Sequence, residues 1–214
     1  MPIEAVLFDF NGVLTTSPFT LIGELGGGNG ALDPQVVLEL MLGPYDQDTD
    51  HGWHRFERGE ITAAEYGIDL LERATAAGVD IDFGALNGLM DRLVVHDVVV
   101  ARVHELRAQG YRTGLVTNNV KEASKLWREL VPVEELFEVI VDSSEVGMRK
   151  PNPAIFLHAL ELLGGIEPSA AVFLDDAAGN VAGAQRAGLH AILVDAADPA
   201  PALAELEAML VEMS

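Results

Sequence analysis

Short apolar runs punctuate the chain at residues 3–8, 113–116, 139–141, 171–174 and 191–194, and each ends in polar residues. Runs this short and this continuous read as strands buried on both faces, the mark of a parallel sheet. Between most of them, apolar residues recur at helical spacing. One such stretch covers 101–109, another covers 153–163 with Ile155, Phe156, Ala159, Leu160 and Leu163, a third runs over 180–187 ahead of Gly188, and the last covers 201–211. Strands alternating with helices predict an α/β fold, a doubly wound parallel sheet forming a Rossmann-like core.

Residues 18–95 break the alternation, because they carry helical patterns and no convincing strand. The patterns are Leu32, Val36, Val37, Leu40 and Met41, then 61–76, then Leu86, Leu89, Met90 and Leu93. Asp33 and Pro34 supply an N-cap and a first-turn proline for the first of them. The expected organisation is a core domain made of 1–17 and 96–214, with an all-helical cap of 18–95 inserted after the first strand. Such an insertion sits over the carboxyl edge of the sheet, where open α/β sheets bind ligands.

Composition narrows the function. Asp and Glu number 34 against 13 Lys and Arg, a formal charge of −21, so nucleic acid and anionic membrane surfaces are disfavoured as partners. A small anionic substrate remains compatible, since a metal ion and one or two basic side chains reverse the potential inside a pocket. There is no Cys, hence no disulfide framework, thiol nucleophile or thiolate zinc site. The start lacks the basic region of a secretory signal and no apolar run reaches the ~18 residues of a membrane span, so a cytoplasmic location is expected.

The strand ends hold the candidate chemistry. The first run leads into Asp9, Asn11 and Gly12, the second into Thr117, Asn118 and Asn119, the fourth into Asp175 and Asp176, and the segment after the third reaches Arg149 and Lys150. In a parallel sheet these ends converge on one rim. Asp9 is placed there as a carboxylate nucleophile toward phosphorus or carbon. Asp175 and Asp176, with Asp9, offer the hard oxygen ligands that Mg²⁺ takes. Lys150, the Thr117 hydroxyl and nearby amides can hold the oxygens of a transferring group.

These segments, FDFNGVL (8–14), LVTNN (115–119), GMRKPNPAIF (147–156) and FLDDAAGNVAGAQRAGLHAI (173–192), resemble in order the motifs of the haloacid dehalogenase superfamily. The nearest resemblance is to the N-terminal phosphatase domain of soluble epoxide hydrolases and its stand-alone relatives, and WHRFERGEIT (53–62) in the cap shares it. The resemblance implies a mobile cap, Mg²⁺ as cofactor and aspartyl-phosphate chemistry. By position it makes Asp9 the nucleophile, Thr117 the phosphate-binding hydroxyl, Lys150 the lysine stabilising both nucleophile and phosphoryl group, and Asp176 the direct metal ligand. Asp175 orients the metal shell and Asn118 contacts substrate.

Asn11 departs from that pattern, which has Asp two residues after the nucleophile as general acid–base and as a backbone metal ligand. An amide cannot shuttle protons, whereas its backbone carbonyl survives for the metal. General acid–base help, worth roughly 10²–10⁴ in rate, is lost at this position. Three functions therefore stand in order: a Mg²⁺-dependent phosphatase or phosphotransferase on a small phosphorylated metabolite, a weakly active ligand-binding or regulatory member, and a carbon–halogen hydrolase.

Other signals have plainer readings. Asp46, Asp48, Asp50 and Glu57 match a calcium loop except at His51, where Gly is needed, and read as an acidic loop. Gly26, Gly28 and Ala31 fit a dinucleotide fingerprint only as text, without its strand and helix. His51, Trp53, His54 and Arg55 are candidates for the cap's face of the pocket, Arg149 for a second anion contact or a solvated charge, and Thr15, Thr16 and Ser17 for the hinge into the cap.

Overall fold

The structure, a computed structural model, describes residues 1–19, 34–79 and 90–214. Strands β1 (Ala5–Phe8), β2 (Arg112–Thr117), β3 (Val139–Asp142), β4 (Ala171–Asp175) and β5 (His190–Leu193) form one sheet in the order β3-β2-β1-β4-β5. Every neighbouring pair is parallel, so all five carboxyl ends lie on the same edge. The expected α/β architecture is therefore present, with each strand within a residue or two of its apolar run.

Period-two geometry divides the strand side chains between two cores. Val6 and Phe8 of β1, with Val172 and Leu174 of β4, face one cluster. Their partners there come from α4 (Asp97–Ala108), α5 (Ser124–Leu130), the short α6 (Val133–Leu136) and α10 (Ala200–Glu212). Ala5, Leu7, Ala171 and Phe173 face the other, packed by α8 (Pro153–Leu162) and α9 (Ala178–Arg186). Helices on both faces bury the three central strands, which is why they read as continuous apolar runs, while the edge strands β3 and β5 are partly exposed. A four-residue helix, α7 (Ser143–Val146), follows β3 directly.

Among the described residues between β1 and α4 lie α1 (Pro34–Leu42), α2 (Gly52–Glu57) and α3 (Ala63–Ala77), then a 3₁₀ turn at Met90–Arg92. They have their own cluster of Met41, Leu42, Phe56, Tyr66 and Leu70, in which the Phe56 and Tyr66 rings stack at 5.2 Å. Helix α3 begins on a capping box, Thr62 accepting from the Glu65 amide while the Glu65 carboxylate accepts from the Thr62 amide. Leu32, Asp33, Leu86, Leu89 and the Gly26, Gly28, Ala31 pattern lie outside the described residues. The sequence pattern missed α2, whose six residues are capped by a histidine: His51 Nδ1 accepts the Trp53 amide at 3.2 Å. No helix among the described residues is long and apolar enough to cross a membrane.

The two connections between the helical segment and the sheet lie side by side. Thr15 and Val95 form an antiparallel bridge, the Thr16 amide donates to the Val94 carbonyl at 2.9 Å, and His96 N–H reaches the Leu14 carbonyl at 2.8 Å.

Candidate active site

Asp9 directly follows β1, Thr117 ends β2 and Asp175 ends β4, so the parallel sheet itself gathers them. Asp9, Asp175 and Asp176 each offer an oxygen within 4.8 Å of the others. Lys150, fully buried, reaches in from the loop before α8, with Nζ 2.7 Å from Asp9 Oδ1 and 2.7 Å from Asp175 Oδ2. Asp175 is held on all sides, accepting also from the Ala177 amide at 2.8 Å and from the Asn180 amide at 3.1 Å. Asp9 uses Oδ1 for both Lys150 and the Phe10 amide, which leaves Oδ2 with capacity for a metal or an electrophile.

These contacts set the charge states. Burial, opposed by Lys150, pushes the Asp9 carboxyl well above the ordinary carboxylate range. Burial first and Asp175 second raise Asp176 to about 6. Burial works against the Lys150 ammonium, but Asp175 and Asp9 outweigh it and hold its pKa above the usual value. Three carboxylates face one ammonium, an arrangement that favours a further cation.

The donor set fits a hard divalent ion. All its members are oxygens, and the Asn11 Oδ1 is buried with no hydrogen-bond partner beside them. Gly12, at φ 81°, carries the chain past Asp176 so closely that a Cβ there would stand 2.1 Å from Asp176 Oδ2. Glycine suits the left-handed conformation, and any Cβ there would force the Asp176 carboxylate to move. Thr117 Oγ1 is likewise buried and unpartnered. An orphaned hydroxyl at a strand end is what a ligand oxygen would satisfy.

Asn118 lines the cavity, but its amide is engaged at both ends with the Lys150 backbone. Nδ2 donates to the Lys150 carbonyl at 3.0 Å, and Oδ1 accepts the Lys150 amide at 2.8 Å. This geometry positions the lysine.

A cavity of about 210 Å³ opens over these groups. Its floor includes Asp9, Asn11 and Asp176, and the helical segment contributes Tyr45, Trp53 and Glu57. Of the four candidates in the cap motif only Trp53 lines it. His54 is fully buried, His51 caps α2, and Arg55 pairs with Glu60 at 3.4 Å. Arg149 is not a solvated charge: it is fully buried, with Nε 2.7 Å from Glu57 Oε2, Nη1 donating to the Gln47 carbonyl at 2.6 Å and Nη2 left without a partner. The calcium-loop residues are scattered likewise, since Asp48 pairs with Arg58 at 2.5 Å and Glu57 with Arg149. The Glu57–Arg149 pair is a part of the site that sequence reasoning misses. It joins residues 92 positions apart, and no local pattern signals it.

Comparison with known proteins agrees with this geometry. A family model for haloacid dehalogenase-like hydrolases matches residues 3–188. The chain is 34% identical over 209 residues to a glyceraldehyde 3-phosphate phosphatase of Methanopyrus kandleri, covering 90% of this chain and 84% of that protein. It is 34% identical to acyl-CoA dehydrogenase family member 10 of Mus musculus over 97% of its own length, and 27% identical to bifunctional epoxide hydrolase 2 of Rattus norvegicus, again over 97%. It spans 19% of the former and 39% of the latter. Among solved structures, a haloacid dehalogenase family enzyme from Bacteroides thetaiotaomicron, complexed with magnesium and inorganic phosphate, superposes with a TM-score of 0.63 at 24% identity, over 92% of this chain and 96% of that one. By the extent of the family match and the identity to the archaeal phosphatase, this chain belongs to the haloacid dehalogenase-like hydrolase family.

Proposed function

We propose that the protein is a Mg²⁺-dependent phosphatase acting on a small phosphorylated metabolite through an aspartyl-phosphate. The observation that carries this reading is that Asp9 and Asp176 line one cavity while the buried Lys150 pairs with Asp9, and the buried, unpartnered Thr117 hydroxyl lies at the neighbouring strand end. Similarity to a glyceraldehyde 3-phosphate phosphatase, and the fold shared with an enzyme solved with magnesium and phosphate, support it.

In this reading Asp9 attacks phosphorus, and Lys150 neutralises both the carboxylate and the equatorial phosphoryl oxygens. Thr117 donates to one of those oxygens. Asp9, Asp176 and the backbone carbonyl of Asn11 would hold Mg²⁺, which when bound supplies charge neutralisation for the transferring group. Asp175 acts by fixing Lys150, and Asn118 by clamping that lysine's backbone. We further propose that 18–95 acts as a cap on the core formed by 1–17 and 96–214.

The test is phosphate release from a panel of phosphate esters, and halide release from haloacids, with Mg²⁺ and with chelator. Metal-dependent phosphate release is expected, with Asp9→Asn lowering it by at least about a thousandfold. Halide release in chelator would replace this reading with carbon–halogen hydrolysis. Asn11 favours a second reading, a ligand-binding member, which would give Mg²⁺ and phosphate binding without turnover.

A further inference from the structure

An alkyl phosphate ester leaves as an alkoxide unless its oxygen is protonated, and the amide of Asn11 cannot provide that proton. Lys150 is held between Asp9 and Asp175, and Asp176 belongs to the metal set. Among the described residues lining the cavity, one further carboxyl is present, that of Glu57. It stands at the end of α2, on the helical segment, and lines the same cavity as Asp9.

We infer that Glu57 is a catalytic proton donor and acceptor of this site, taking the role that Asn11 cannot fill; the inference rests on the phosphatase reading above. Glu57 is 1% exposed. Its Oε2 accepts Arg149 Nε at 2.7 Å and its Oε1 meets the Tyr45 hydroxyl at 3.2 Å. Oε2 is taken up by the guanidinium N–H, so the exchangeable proton is assigned to Oε1, which keeps one lone pair for the bond that the Tyr45 hydroxyl donates to it. Burial raises the carboxyl's pKa, and Arg149 offsets only part of the rise. That balance suits a group that alternates between acid and conjugate base. Besides Arg149 and Tyr45, Trp53 of α2 lies against it and Tyr66 on α3 is close enough to feel its charge.

In the first step the Asp9–phosphorus bond forms and the bond from phosphorus to the leaving oxygen breaks. That oxygen takes the Glu57 proton and departs as an alcohol, leaving a carboxylate paired with Arg149. In the second, water attacks phosphorus, the bond to Asp9 breaks, and the water proton returns to Glu57 as phosphate is released.

The experiment compares kcat/KM for n-butyl phosphate, whose leaving group needs a proton, with that for p-nitrophenyl phosphate, whose leaving group does not. Both are measured at saturating Mg²⁺ on the full chain, because kcat/KM reports leaving-group departure. Glu57→Gln is expected to lower the butyl ester value by about 10²-fold or more while changing the nitrophenyl value by less than about tenfold. Adding Asn11→Asp should restore the butyl ester. An equal loss on both esters, or no loss on either, overturns the inference while leaving the phosphatase reading intact. If Glu57→Gln does not fold, the unmutated protein decides: butyl ester kcat/KM must show a basic limb that the nitrophenyl ester lacks, and coincident profiles overturn the inference. Loss of neither activity in Asp9→Asn would instead remove the phosphatase reading, and this one with it.

Discussion

His54 shows how a single buried side chain couples the fold to pH. Its Nδ1 accepts from the Thr49 amide at 3.1 Å, so the ring proton belongs on Nε2 and a second proton would have to displace that bond. Burial, then the nearby Arg149 charge, lowers the pKa from 6.5 to about 3. Between those values the unfolded chain binds more protons at this residue than the folded one. The contribution of His54 is therefore intact above pH 6.5 and is lost progressively as pH falls toward 3, at up to about 1.4 kcal/mol per pH unit. Denaturant unfolding between pH 7 and 5 should show that slope, and His54→Gln should flatten it. Residues of this kind were hard to place from sequence, where His54 read as a pocket candidate. Asp9 and Asp176 were legible because an acidic residue after a buried strand has one edge to occupy. The Asn118 clamp on Lys150 was not, since it spans 32 positions and uses backbone atoms that no residue pattern encodes.

At the scale of elements, local chemistry fixes boundaries where it is strong. The Thr62–Glu65 capping box sets the start of α3, and Thr62→Ala is expected to cost about 1 kcal/mol in denaturant unfolding, with a smaller loss for Glu65→Ala. Asn152 does the same for α8, accepting the Ala154 amide at 3.0 Å ahead of Pro153. The central strands are readable because burial on both faces makes them uninterrupted apolar runs, and the edge strands β3 and β5 because they stay apolar although partly exposed. Helices α5, α6 and α7, of 7, 4 and 4 residues, were not, since fewer than about two turns present no period to detect. Their formation follows from tertiary packing, as with Trp127 of α5, which is fully buried against Phe10 at 5.1 Å.

For the whole molecule, the contact between the helical segment and the sheet's edge decides what the cavity admits. Gly179, near the start of α9, lies so close to the loop after α1 that a Cβ would stand 2.6 Å from the Asp46 Cα. Backbone cannot yield there as a flexible side chain would. Gly179→Ala should therefore displace the segment carrying Tyr45 and Glu57, and a shift of ~1 Å is enough to lower kcat/KM by up to about 10²-fold. Steady-state kinetics beside a thermal melt would separate this from loss of fold, because the substitution touches neither sheet core. The formal net charge of −21 adds a long-range effect: encounter with an anionic ester should quicken as added salt screens the repulsion.

The adjoining connectors at Thr15 and Val95 have a consequence for modularity. Two backbones already paired in antiparallel register can be joined by a turn of a few residues. Neither cluster flanking the sheet draws a buried residue from between them among the described residues. The intervening segment can then be exchanged like a cassette, so that relatives sharing this sheet could diverge in selectivity by swapping one contiguous stretch of gene.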